Sequence, residues 1–403
     1  MGHKVLLITQ VFYPDEVSTA NLFTNLCSVL VSDGVEVEVW CAHPSYTQTR
    51  RQSKNLIHNG IKIKFLSSTN FRKSSIGGRV INYLTFMLSV FMKLLFTRDQ
   101  RPVMTHTTPP TLAIFLSVTC FMTGRKFIQV LLDLFPEGLI RLGKLKRRSL
   151  IARVWQRLFV LSLKKTDQLI VIGRDMKMWI ESQISDHKNI SYIPLWQDDK
   201  LIEPVRFENN DMVSEYGLND SFVVQYSGNM GLWNDMKTIG KAVMLKPSGV
   251  RFLFIGDGMR KKEFIDSLDG NIPSNVMMLP FQPNDTFKKS VSACHAALVS
   301  LGPGLEGMAV PSKIYGIMAA GIPVVALVPP QSEIAKIVKE EYCGIVVEPG
   351  DFNGLNNAVL LLKSDNTLRQ NMGLNGRKAF EEKYTTGKVA EQYKNIISLV
   401  NFK

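Results

Sequence analysis

At 403 residues the chain is too long for one hydrophobic core of ordinary size, so two domains of roughly 150 to 200 residues are expected. Hydrophobic residues make up 45% and charged residues 21%, which excludes a disordered chain. The formal net charge of +13 keeps nucleic acid, anionic membrane and phosphate-bearing substrates open as partners until the cations are located.

Met1-Gly2-His3-Lys4 runs straight into a strand-like stretch at 4–9, and on that start a secretory leader is not expected. Further Val/Ile/Leu runs at 35–41, 61–67, 102–106, 126–132, 168–172 and 190–194 alternate with helical patterns. The alternation restarts at 222–226, 251–255, 276–279, 296–300, 323–327 and 345–347. This is the pattern of βαβ units in parallel sheets buried on both faces. The polar stretch 194–210, with Trp196, Asp198 and Asp199, predicts the connection, giving domains 1–200 and 201–403. After Val347 the pattern is helical to the end, and the last helix can pack on either domain. The expected class is α/β, with two doubly wound Rossmann-like domains facing across a cleft and ligands outside the carboxyl ends of the strands.

Two apolar segments, 81–96 and 111–122, fall short of the ~20 residues that cross a bilayer. They read either as core helices or as faces that dip into a membrane interface. Between Gly138 and Thr166 stand Arg141, Lys144, Lys146, Arg147, Arg148, Arg153, Arg157, Lys164 and Lys165, with no acidic residue. Leu150, Val154, Trp155, Leu158 and Leu161 give this segment an amphipathic helical stripe. Its cations are interleaved with aliphatic residues and not with stacking aromatics, which argues for an anionic membrane surface and against nucleic acid. The five cysteines are scattered, with neither a metal-ligand nor a disulfide spacing, and a reducing cytoplasm is the simplest compartment.

The loops after the strands are the candidate sites. The first contains Glu16, Ser18 and Thr19 but no glycine before Asp33, so a tight pyrophosphate cradle is not expected there. Glu16 and Ser18 read as an acceptor-side rim, with helix capping as the competing reading for Ser18 and Thr19. In the second half, Ser227-Gly228-Asn229-Met230-Gly231 reads as a phosphate loop or as a strand-to-helix turn that needs glycine for steric reasons. Gly256-Asp257-Gly258-Met259-Arg260-Lys261 adds two cations, read as diphosphate partners or as a solvated helical turn. Pro311-Ser312-Lys313 enters a helix over 314–320, where an anion meets free N–H groups and a favourable dipole.

With Gly228-Asn229, Gly256-Asp257-Gly258, Pro311-Ser312-Lys313 and Met318-Ala319-Ala320-Gly321-Ile322-Pro323 in this order, the chain resembles the retaining glycosyltransferase family 4 of the GT-B fold over nearly its whole length. Asp133-Leu134-Phe135-Pro136-Glu137 and Leu279-Pro280-Phe281-Gln282-Pro283 are similar to the branch that builds O-antigen, colanic-acid and capsular sugars. The resemblance implies a nucleotide-sugar donor on the C-terminal domain, a polyprenyl-diphosphate-linked saccharide acceptor on the N-terminal one, and no metal or other cofactor. No Asp-x-Asp triplet is present, in agreement. Residue by residue, it implies Gly228, Asn229 and Ser312 beside the diphosphate, Phe281 and Gln282 beside the base, and Glu306, Gly307 and Met308 near the transferred sugar. Arg260, Lys261 and Lys313 are the expected cations for the leaving diphosphate.

Two positions depart from the family. A glutamate that grips the ribose is replaced by Gly316, and its partner eight positions earlier by Met308, with Glu306 two residues early. A histidine near the active centre is replaced by Leu132, and Asp133 is the expected substitute. The implied enzyme is a hexosyl- or N-acetylhexosaminyltransferase at the inner face of the cell membrane, with Asp133 and Glu306 as catalytic candidates. The rival readings are a GT-B-fold sugar-nucleotide epimerase and a weakened homologue acting as a partner subunit.

Overall fold

Most of the Val/Ile/Leu runs of the first half form strands because they are buried on both sides, as Val5, Leu7, Ile8, Val39, Ile128, Val130 and Ile170 show. Each such side chain contributes roughly 1.5 to 3 kcal/mol when fully removed from water. In this computed structural model, which describes residues 3–44, 54–69, 71, 76–184 and 189–401, the chain divides into two units. One is Met1–Pro194 with Thr386–Lys403; the other is Leu195–Thr385.

The first unit runs β1 (Lys4–Ile8), α1 (Ser18–Ser32), β2 (Glu36–Ala42), β3 (Asn55–His58), β4 (Ile61–Leu66), α2 (Ile76–Phe96), β5 (Val103–His106), α3 (Leu112–Thr123), β6 (Phe127–Leu131), α4 (Glu137–Arg141), α5 (Leu150–Lys164), β7 (Gln168–Val171), α6 (Arg174–Gln183) and β8 (Ile190–Tyr192). Its sheet has the order β3-β4-β2-β1-β5-β6-β7-β8. All pairings are parallel except β3 with β4, a hairpin that the sequence reading left out. Its turn, Asn59-Gly60, has both residues at positive φ, as a two-residue hairpin turn requires.

The second unit runs α7 (Asp211–Glu215), β9 (Phe222–Ser227), α8 (Met236–Met244), β10 (Val250–Ile255), α9 (Lys261–Asp266), β11 (Val276–Leu279), α10 (Asn284–Val291), β12 (Ala296–Ser300), α11 (Lys313–Ala319), β13 (Val324–Leu327), α12 (Glu333–Glu340), β14 (Gly344–Val347), α13 (Phe352–Ser364) and α14 (Asn366–Ala379). Its fully parallel sheet has the order β11-β10-β9-β12-β13-β14.

The stretch 194–210, expected as a connection, is largely part of the second unit. Trp196 and Ile202 are buried there, and the Gln197 N–H donates to the Tyr384 carbonyl at 3.1 Å. The last helix, α15 (Thr386–Asn401), belongs to the first unit. Lys394 Nζ donates to the Asp33 carbonyl at 2.8 Å, and Asn401 Nδ2 to the Lys4 carbonyl at 3.1 Å.

Candidate active site

In the second sheet the strand order reverses between β9 and β12, and the loops leaving these two carboxyl ends diverge to opposite faces, the place where a crevice forms in doubly wound sheets. Side chains and backbone stitch the loops together. The Asp235 carboxylate caps α8, accepting the Thr238 N–H at 3.1 Å, while its own N–H donates to Ser300 Oγ at 2.9 Å. The Gly302 N–H donates to the Trp233 carbonyl at 2.6 Å. On the other side, the Gly228 N–H donates to the Ile255 carbonyl and the Met230 N–H to that of Asp257, both at 2.8 Å. Gly256 is required here: its φ is +126°, and a Cβ would stand 2.4 Å from the Gly228 carbonyl oxygen. Gly256→Ala is therefore expected to cost about 1 to 3 kcal/mol. Scanning calorimetry should register it as a melting point lower by several degrees, at about 2 to 4 °C per kcal/mol.

Lys313 opens α11 and sends its side chain to the turn at Gly228, where a Cβ would lie 3.7 Å from Nζ. The ammonium sits 3.5 Å from the centroid of the Tyr226 ring. It is buried and has no hydrogen-bond partner. Burial alone pushes its pKa down from 10.5 to about 7. A buried ammonium satisfied only by an aromatic face is costly, and an anion delivered to the Gly228 turn would complete it.

The other expected cations are already engaged. Arg260 NH1 forms 3.0 Å bonds to both carboxylate oxygens of Glu263, three residues on, and Lys261 lies 3.7 Å from Asp257. Lys261 also lines a hollow of about 310 Å³ with Gly256, Asp257, Met278, Leu279, Pro280 and Phe281. Phe281 is more than half exposed at its mouth, and Gln282 Nε2 is held by the Pro280 carbonyl at 3.0 Å. Asn229 is exposed, its carbonyl fixed by the Tyr226 hydroxyl at 2.9 Å and Asn234 Nδ2 at 3.2 Å. Ser312 occupies the N-cap position with helical backbone and an exposed side chain that makes no cap bond, because α11 starts without the extended cap conformation. Glu306 is half-buried in the turn after β12, with Gly307 at φ +73°. The Met308 side chain is wholly buried, so that position offers a ligand only main chain. At Gly316 a Cβ would meet Ile202 Cδ1 at 3.3 Å; this side chain occupies the space into which a glutamate would grow.

In the first unit the reversal falls between β1 and β5. His106 ends β5, wholly buried and stacked on Phe23 at 4.5 Å. Its Nδ1 accepts the Thr108 N–H at 3.2 Å, so Nε2 carries the proton and donates to Thr9 Oγ1 at 2.9 Å, which in turn donates to the Val11 carbonyl. Burial pushes its pKa down to about 3. This neutral ring ties β1 to β5 and serves as a strut, a role the sequence reading missed. The neighbouring Thr107 Oγ1 accepts the N–H groups of Leu132 and Asp133 at 3.1 and 3.2 Å, anchoring the turn after β6. Asp133 is partly exposed in this turn, and desolvation raises its pKa from 3.8 to about 6. Glu16, in the loop from β1 into α1, and Ser18, the first residue of α1, are both exposed. Capping does not account for Ser18 or Thr19: the N-cap is Val17, with no side-chain bond.

The two apolar segments of the first half are each core on one side and exposed on the other. Phe86, Val90, Leu94, Leu112, Leu116 and Cys120 are buried, whereas Leu88, Phe121 and Met122 are more than 60% exposed. No helix among the described residues is long and apolar enough to cross a membrane. In the basic segment, Arg141 and Arg147 both pair with the buried Glu137, at 3.2 and 2.6 Å. Trp155 is turned inward, stacked on Phe135 at 6.4 Å. All five cysteines are buried and unpaired. Among the described residues no cluster of three or more His, Cys, Asp or Glu could hold a metal.

Residues 211–379, which contain the Gly228, Gly256 and Lys313 loops, match the family described as glycosyl transferases group 1. The Pseudomonas aeruginosa protein carried under the name "Probable glycosyltransferase WbjE" is 30% identical over 273 residues, covering 66% of this chain and 67% of that one. The capsular polysaccharide biosynthesis glycosyltransferase CapM of Staphylococcus aureus is 23% identical over 338 residues, covering 79% and 82%. Among solved structures, sucrose-phosphate synthase of Thermosynechococcus elongatus superposes with a TM-score of 0.76 at 16% identity, covering 99% of both chains. HepE of Anabaena, solved in complex with UDP and glucose, gives 0.75 at 14% identity over 98% of this chain and 100% of that one. The chain belongs to the group 1 glycosyltransferases and is an enzyme of that class, with two Rossmann-like domains of the GT-B fold.

Proposed function

We propose that this glycosyltransferase moves a hexosyl or N-acetylhexosaminyl unit, with retention at the anomeric carbon as in family 4, from a nucleoside-diphosphate sugar to a hydroxyl of a polyprenyl-diphosphate-linked saccharide. The product is a cell-surface polysaccharide of the capsular, O-antigen or colanic-acid kind, made at the inner face of the cell membrane. The observation that carries the donor reading is the unpartnered Lys313 ammonium against the Gly228 turn. The Gly228 turn that Lys313 meets also packs on Gly256, which lines the hollow with Lys261 and Phe281, and this suits a nucleoside diphosphate, with phosphates at Gly228, Asn229, Ser312 and Lys313 and the base against Phe281 and Gln282. The UDP in HepE and the polysaccharide role in the name of CapM support the same reading.

As the bond from the anomeric carbon to the phosphate oxygen breaks, negative charge grows on the leaving diphosphate. Lys313 and the amides of the turn stabilise it, in the place a divalent cation would otherwise take. The acceptor hydroxyl attacks the same face, and the departing phosphate oxygen takes its proton. Glu306 orients the transferred sugar. On the first unit, Asp133 binds an acceptor hydroxyl and the exposed Glu16 and Ser18 form the acceptor rim. The basic segment keeps the enzyme at an anionic leaflet.

A thermal-shift screen of UDP-, GDP-, dTDP- and CMP-sugars tests the donor. Binding at a hundred times Kd adds about 2.7 kcal/mol to the folded state. One nucleotide class should raise the melting point by several degrees; a flat response to all four would sink the donor reading.

A further inference from the structure

Helices α2, α3 and α5 of the first unit enclose a groove of about 750 Å³. Its wall is hydrocarbon, with Phe91, Phe115, Val118, Met122, Val154 and Leu158 representative. The only hydroxyls come from Thr111 and Thr119, and that of Thr119 is turned back onto the Phe115 carbonyl at 3.0 Å. Leu150 and Ile151 at the rim are 75% and 69% exposed, so the groove stands open to water. An apolar concavity open to water is the kind of surface on which small-molecule ligands bind. Leu150, Val154, Leu158 and Leu161 share one side of α5, and Arg153, Arg157 and Lys164 run along its flank at helical spacing, all exposed. Lys165 adds a further cation, its Nζ 3.5 Å from the centroid of the exposed Phe121 ring on α3.

We infer that this groove holds the isoprenoid chain of a polyprenyl phosphate, with the anionic head at the cationic flank of α5. The inference rests on the lipid-linked acceptor proposed above and names where the hydrocarbon part of that acceptor lies. Three features select this occupant. The surface is concave, so a flat bilayer would leave it unfilled, whereas a single branched chain fills it. Its volume lies within the range of about 300 to 1,000 Å³ in which small-molecule ligands are enclosed. The cations along one rim match an amphiphile with a negative head, and they oppose a second copy of the chain, which would bring the same cations face to face in a two-fold contact.

Trp155 lines the groove and reports on its contents. The test is a titration of indole emission in the wild-type enzyme and in Trp155→Phe, with long-chain polyprenyl phosphate dispersed on cyclodextrin, geranyl phosphate, inorganic diphosphate, and anionic phosphatidylglycerol vesicles. The long chain should give a saturable blue shift that is absent in Trp155→Phe, geranyl phosphate should bind more weakly, and diphosphate should give no shift. Val118→Gln and Leu158→Gln, at half-exposed positions that tolerate substitution, should each weaken long-chain binding about tenfold without changing the melting point. An equal response to inorganic diphosphate, or unchanged affinity in both glutamine variants, overturns the inference. So does binding to vesicles without binding to the dispersed chain, which would make the surface a bilayer-docking face. If the dispersed chain binds but labelled sugar never enters a lipid product, the groove stands and the lipid-linked acceptor falls.

Discussion

The Lys313→Met enzyme is expected to bind its nucleotide-sugar donor roughly ten- to a hundredfold more weakly, the worth of one hydrogen bond to a charged group in a desolvated site. The free protein, by contrast, should be at least as stable as wild type, because the substitution removes a buried ammonium that has no hydrogen-bond partner. The two effects have opposite signs, which separates a donor ligand from a structural lysine.

Lys313 also sets a pH dependence. Its pKa in the folded protein is about 7, against 10.5 in the unfolded chain, so between these values the unfolded chain holds more protons. The wild-type protein should therefore gain stability as pH rises from about 7 towards 10.5, and the methionine variant should lack this rise. A bound diphosphate favours the charged form, so donor binding takes up a proton above pH 7 and weakens as pH rises further. Isothermal titration in buffers of different ionisation enthalpy reads this uptake directly. Equal donor affinity in wild type and Lys313→Met would remove Lys313 from the site.

Asp133→Asn is expected to lower kcat by roughly a hundredfold or more while leaving donor affinity unchanged, as for a group that positions the acceptor hydroxyl for proton transfer. Desolvation holds its pKa at about 6, against 3.8 for the ordinary carboxyl, so the folded state holds more protons across that interval. Stability contributed by Asp133 is thus present below about pH 4 and is lost as pH rises through 6. At neutral pH the asparagine variant should be the more stable protein, by at most about 3 kcal/mol. The acid limb of the wild-type rate profile, falling below about pH 6, should flatten in the variant. Full activity with an unaltered acid limb would show that another group does this work.

Most of the parallel strands were legible as short apolar runs flanked by turn residues, whereas β2 and β4 alternate charged with apolar residues. The edge strand Asn55–His58 was not, since its alternating exposed pattern carries little apolar signal, although Asn59-Gly60 marks the hairpin. Gly228 reads from sequence as a phosphate loop or a steric turn, and its φ of +115° supplies the steric reason; the close approach of Gly256 to the Gly228 carbonyl is visible only in the fold. Spacing along the chain could not show that Lys313 would be buried on Tyr226, because that contact joins the start of α11 to the end of β9, more than eighty residues apart, and the two meet only through the reversal of strand order. Nor could it show that Arg260 and Lys261 are engaged by Glu263 and Asp257. The missing glutamate at Gly316 was visible, and the structure supplies its physical counterpart in Ile202. The groove of α2, α3 and α5 was half legible: the stripes were read on separate helices, and only their packing makes a cavity of them.

The most direct measurement follows a labelled sugar. Enzyme is incubated with each labelled nucleoside-diphosphate sugar, with and without lipid extract from the source membrane, and the label is partitioned between water and organic solvent. Transfer predicts that one donor's label moves into the organic phase only when lipid is present, with equimolar nucleoside diphosphate released, and that Lys313→Met slows this at limiting donor. Release of free or altered sugar with no lipid present, or retention of all label in intact donor, would contradict the account.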